Sequence, residues 1–97
     1  MKVGEFVNVS KRMVKEYFNR YVVSPNGFQP IKSTDVKTVN FDSDDYIYDI
    51  YLVVPNTDYV IYAVRYDRVA KQIYSTILNN VFKKNNISES EETYKIR

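Results

Sequence analysis

Four aspartates, Asp42, Asp44, Asp45 and Asp49, fall within one short stretch of the chain, and clustered carboxylates are where metal chemistry is looked for first. An EF-hand loop beginning at Asp42 needs glycine at its sixth position and glutamate at its twelfth. Ile47 and Val53 stand there instead, so the run does not encode a calcium loop. A Mg²⁺-dependent nuclease needs two or three converging carboxylates, usually with a lysine beside them. Asp42, Asp44 and Asp49 offer the carboxylates, but no lysine lies between Lys37 and Lys71. Acidic residues between strands are ordinarily solvated turn formers, and that is the expectation here.

Other reactions lack their residues. There is no histidine, which removes the commonest general base and transition-metal ligand. There is no cysteine, which removes disulfides and thiolate chemistry. Two glycines, Gly4 and Gly27, leave no phosphate-cradling loop or dinucleotide fingerprint. A serine or threonine nucleophile has only lysine as an amine base, and no spacing sets one up. The chain is therefore expected to act by binding, with no catalytic residue, no metal and no cofactor.

The elements that position these residues read as follows. Residues 2–9 suggest a short strand, with Val3, Val7 and Val9 on one side. Ser10 is a good N-cap, and Met13, Val14, Tyr17, Phe18, Tyr21 and Val22 recur at helical spacing. Lys11, Arg12 and Lys15 fall on the opposite face. Ser24-Pro25-Asn26-Gly27 ends that helix with strong turn chemistry, and residues 28–35 read as loop. Residues 36–41 predict a strand. The most β-branched and aromatic stretches, 46–54 and 59–66, predict a hairpin closed by Pro55-Asn56-Thr57-Asp58. Asp67 predicts the cap of a last helix reaching about residue 84, with Val69, Ile73, Tyr74, Ile77, Leu78 and Val81 on its apolar stripe.

The resulting fold class is α+β in the order (β)-α-β-β-β-α. Two amphipathic helices pack on one face of an antiparallel sheet of three strands, or four with the N-terminal one. At 97 residues the chain suits one domain, 1–87, followed by a polar, frayed tail at 88–97.

The register of the hairpin decides which residues share a face. A four-residue loop pairs Val54 with Tyr59. A five-residue loop pairs Val54 with Val60 and sets Asp49 opposite Arg65, an arrangement that an opposite-charge pair favours. In that second register Tyr48, Ile50, Leu52, Val54, Val60, Tyr62, Val64 and Tyr66 point inward. Ile47, Asp49, Tyr51, Val53, Tyr59, Ile61, Ala63 and Arg65 point outward. An outward face this apolar wants a cover. The N-terminal segment or the 28–35 loop is one candidate for it, and a partner is the other.

Charge is segregated along the chain. Residues 41–60 carry five acidic groups and no basic one, whereas 1–40 carry seven basic against three acidic. The first functional expectation is a binding surface made of Tyr51, Val53, Tyr59 and Ile61 with Asp42, Asp44, Asp45 and Asp49. It suits a host or self protein as partner, with acidic groups steering association and tyrosines supplying contact area. A small accessory factor or inhibitor fits this description, and so does a homodimer. Frequent asparagine, lysine, isoleucine and tyrosine fit an AT-rich genome, as in low-GC bacteria, their phages or archaeal viruses.

The alternative uses the helices. The expected order of elements, with Arg68-Val69-Ala70-Lys71-Gln72 opening the last helix, resembles the double-stranded RNA-binding domain. That resemblance implies phosphate contacts from Arg68 and Lys71, joined by Lys11, Arg12 and Lys15. Such domains read helix shape through phosphates and 2′-hydroxyls. The glycines that precede the family's basic cluster are replaced here by Ala63-Val64-Arg65-Tyr66-Asp67. No apolar run has the length of a membrane span, and residues 1–10 lack a signal-peptide pattern. The expectation is a cytoplasmic protein without a membrane partner.

Overall fold

The computed structural model describes residues 1–57, 61–78 and 91–95, with the backbone alone described for 76–78 and 91–95. The chain is α+β, with one long N-terminal helix and an antiparallel sheet. Helix α1 spans Val3–Phe18. The strands are β1, Lys37–Ser43; β2, Ile47–Val53; β3, Ile61–Asp67; β4, Gln72–Leu78; and β5, Glu91–Lys95. They lie side by side in the order in which they occur in the chain.

Two expected elements are corrected. The N-terminal strand at 2–9 is helix instead, because Val3 and Val7, and Phe6 and Ser10, are also spaced one helical turn apart. Phe6 is fully buried, and the polar residue in the same stripe is accommodated by a back-bond. The buried Ser10 hydroxyl donates to the Phe6 carbonyl at 2.7 Å. Ser10 is therefore a mid-helix residue and not a cap.

The last helix, expected from Asp67 to about residue 84, is replaced by a tight turn and β4 as far as Leu78; residues 79–84 lie outside the described residues. Asp67 does serve as a cap, its carboxylate accepting the amides of Val69 and Ala70 at 2.9 Å each. The turn then closes through Lys71, whose φ of 54° reverses the chain. From Gln72 the β-branched and aromatic content of Ile73, Tyr74, Thr76 and Ile77 suits an extended strand. Strand β5 occupies part of the tail expected at 88–97 and pairs antiparallel with β4.

After Phe18 the helix passes through a π turn, Asn19–Val23, which brings two consecutive valines, Val22 and Val23, into the core. Gly27, at φ 65°, ends the helical segment in the left-handed conformation. The Asn19 side chain then pins the following loop, receiving the Ile31 amide at 2.9 Å and donating to the Ile31 carbonyl at 3.0 Å.

The core lies between α1 and one face of the sheet. Phe6 stacks against Tyr48 and Tyr66 at 5.6 and 6.1 Å between ring centroids, and Phe41 joins the same cluster. Ile50, Leu52, Val54, Tyr62, Val64 and Ile73 complete the buried face. Burial pushes the Tyr62 hydroxyl well above the ordinary phenol range, and Tyr17 beside it adds to the effect.

Candidate docking face

The register of β2 and β3 is the one that the charge pairing predicts. Asp49 lies opposite Arg65, Tyr51 opposite Ala63 and Val53 opposite Ile61. Arg65 grips Asp49 with two parallel bonds, Nε to Oδ1 at 2.8 Å and one terminal nitrogen to Oδ2 at 3.0 Å. The Asp49 carboxylate raises the Arg65 pKa further above its ordinary value. Both side chains keep solvent contact, so the pair aligns the strands more than it stabilises them.

The outward face carries Ile47, Asp49, Tyr51 and Val53 from β2, and Ile61, Ala63 and Arg65 from β3. Tyr74 joins from β4, opposite Arg65. All are half-buried or exposed, with Tyr51 at 37%. The N-terminal segment, considered above as a cover, lies on the other face. Among the described residues no helix crosses the outward side. A shallow hollow of about 430 Å³ opens there, lined by Ile47, Asp49, Tyr51, Ala63, Arg65 and Tyr74 among others.

The predicted docking residues are only partly united. Tyr51, Val53, Ile61 and Asp49 share the face, and Asp42 on β1 lies directly opposite Asp49. Tyr59 lies outside the described residues. Asp44 and Asp45 sit in the β1–β2 turn at the end of the face. Asp44 is a turn residue: its Oδ1 accepts the amides of Tyr46 and Ile47 at 2.7 Å each, and these bonds hold its pKa below the ordinary value. No three acidic residues converge as a metal-ligand group among the described residues. Tyr74 was missed as an outward residue because the helical reading of 67–84 placed it on an apolar stripe. Alternation does not mark it in the sequence, because its two buried neighbours are apolar Ile73 and polar Ser75; the available signal is the β-branched and aromatic content of 73–77.

The basic residues are dispersed. Arg12 is exposed on α1 with Lys11 and Lys15 half-buried beside it, and Glu16 stands one turn beyond Arg12, so that face carries both signs. Arg68 and Lys71 do not open a helix but sit in the β3–β4 turn. The Arg68 guanidinium lies 4.0 Å from the Tyr48 ring centroid and donates to the Asp44 carbonyl. It ties two turns together instead of standing free for phosphate. The order of elements that resembled the double-stranded RNA-binding domain is thereby lost. No described helix is long and apolar enough to cross a membrane.

One margin of the sheet differs from its face. Strand β1 has a bulge at Val39, where the register slips between Thr38 and Asn40. The Phe41 amide donates to the Asn40 side chain at 2.9 Å, so that donor is not offered to another strand. Bulges and charged residues such as Lys37 and Asp42 are how natural edges avoid pairing. Comparison with family models, curated proteins and solved structures finds no match for this chain.

Proposed function

We propose that this protein is a non-enzymatic binding module of the accessory-factor or inhibitor type, which docks another polypeptide through the outward face of β2, β3 and β4. The observation that carries the reading is a row of large side chains, Tyr51, Val53 and Ile61, on a sheet face that no described helix covers. Exposed apolar patches edged by polar residues are the usual mark of such interfaces. Tyrosine contributes contact area at small entropic cost, and Asp42, Asp44 and Asp45 at the margin favour a basic counter-surface.

The test compares two faces of one molecule in a binding assay with a captured polypeptide. Tyr51→Ala and Ile61→Ala are each expected to weaken binding by about 1–2 kcal/mol, with an unchanged far-UV circular dichroism spectrum. Arg12→Glu, on the solvent side of α1, is expected to leave affinity unaltered. Binding that ignores Tyr51 and Ile61, yet collapses with Arg12→Glu and with rising salt, would instead indicate a phosphate-bearing partner.

A further inference from the structure

The rows across β2 and β3 have a property that a face for a foreign partner does not require. Three of the four outward rows, consecutive along the strands, join a residue to its physical complement: Asp49 to Arg65, Tyr51 to Ala63, Val53 to Ile61; the fourth sets Ile47 beside Asp67. Consider a two-fold axis parallel to the strands and midway between β2 and β3. It lays Asp49 of one copy over Arg65 of the other, Tyr51 over Ala63, and Val53 over Ile61. Acid meets base, a large ring meets a methyl group, and aliphatic meets aliphatic, twice over. An isologous contact demands this self-complementarity.

The shape of the surface agrees with the pairing. The hollow of about 430 Å³ is lined by Tyr51 and Ala63 as well as by Asp49, Arg65 and Tyr74, so a ring and the small side chain that would receive it are neighbours on one face. A face-to-face sandwich of two sheets, with strands roughly aligned, is a common way to bury such a surface. The bulge and the occupied Phe41 amide disfavour edge addition at β1.

We infer that the occupant of the outward face is a second copy of the chain, forming a two-fold dimer with Tyr51 of each protomer seated over Ala63 of the other. This inference rests on the reading of that face as a docking surface and names its partner. The Asp49 and Arg65 side chains of both protomers then form a closed ring of alternating charge at one end of the contact.

Sedimentation velocity and light scattering from about 1 μM to about 1 mM test the inference. The wild-type protein is expected to pass from monomer to dimer in that range. Ala63→Arg, which fills the hollow without touching the core, is expected to weaken association at least thirtyfold, roughly the effect of losing one hot spot. Should that variant fail to fold, Tyr51→Ser reads the same contact from the opposite side. The sharpest arm uses charge. Asp49→Arg and Arg65→Asp proteins should each remain monomeric alone and associate when mixed, because only the mixture restores acid over base. A wild-type protein that stays monomeric throughout overturns the inference, as does a dimer indifferent to Ala63→Arg and Tyr51→Ser. In either event, loss of foreign-polypeptide binding in Tyr51→Ala would leave the docking reading standing. If Tyr51 matters to neither measurement, both readings fall.

Discussion

The two faces of the β2–β3 hairpin are built from alternate residues of the same two strands, yet they meet opposite fates. On one side Ile50, Leu52 and Tyr62 are completely buried beneath α1. On the other, Tyr51 keeps 37% of its surface and its neighbours are half-exposed. Composition separates them only in part: the outward side carries the Asp49–Arg65 pair, but Ile47, Tyr51, Val53 and Ile61 around it are as apolar as the buried set. The rest of the difference lies in the supply of covering elements. Among the described residues there is one long helix, and it can lie on only one side.

The largest test of this contrast is a pair of truncations. Leu52→Ala should cost about 3 kcal/mol of folding stability through transfer and cavity terms. Tyr51→Ala, measured in dilute solution, should cost less than about 1 kcal/mol. Urea unfolding followed by circular dichroism reads both. Equal losses would mean that the outward face is sealed as tightly as the inward one.

An intermediate effect comes from pH. Tyr62 is neutral in its buried site and has a pKa raised above the ordinary 10.0. The stability it contributes is fully present below pH 10 and declines as pH rises beyond it, because the unfolded chain then releases a proton that the native state retains. The slope is about 1.4 kcal/mol per pH unit above that point. Thermal melts between pH 8 and 11 should show the decline, and Tyr62→Phe should remove its share of it. A Tyr62→Phe protein with the same alkaline slope would show that this hydroxyl is not the cause.

The smallest effect belongs to the exposed ion pair. Asp49→Asn should lower monomer stability by about 0.5 kcal/mol or less, and less still in high salt. A larger loss would move Asp49 from the solvated face to the structural one.

The hairpin was legible in the sequence because two independent signals agreed, namely β-branched and aromatic enrichment on either side of a turn cluster and a charge pair that only one register satisfies. The class of the fold followed, as did the inward and outward sets of described residues. The β3–β4 turn was not legible, because Asp67 caps a tight turn with the same carboxylate-to-amide bonds it would use to begin a helix. Lys71 then adopts a left-handed backbone that lysine does not advertise. Val69, Ile73 and Ile77 are spaced four apart, so a helical period was present in a stretch that folds as turn and strand. At the N-terminus the reverse occurred: Ser10 looked like a boundary because its hydroxyl bond to Phe6 is invisible in a pattern of apolar residues. The candidate face was legible in β2 and β3 and not in β4, where the wrong period hid Tyr74.

The bulge at Val39 and the Asn40 side chain on the Phe41 amide bear on what this molecule does at high concentration. Lateral stacking of such sheets into a ribbon needs a receptive β1 at every junction, so closing that one border suffices to halt propagation. Flat contact between broad sides consumes the sticky surface and ends there. A two-fold contact of the kind inferred above would cover the apolar face without opening such a chain of copies.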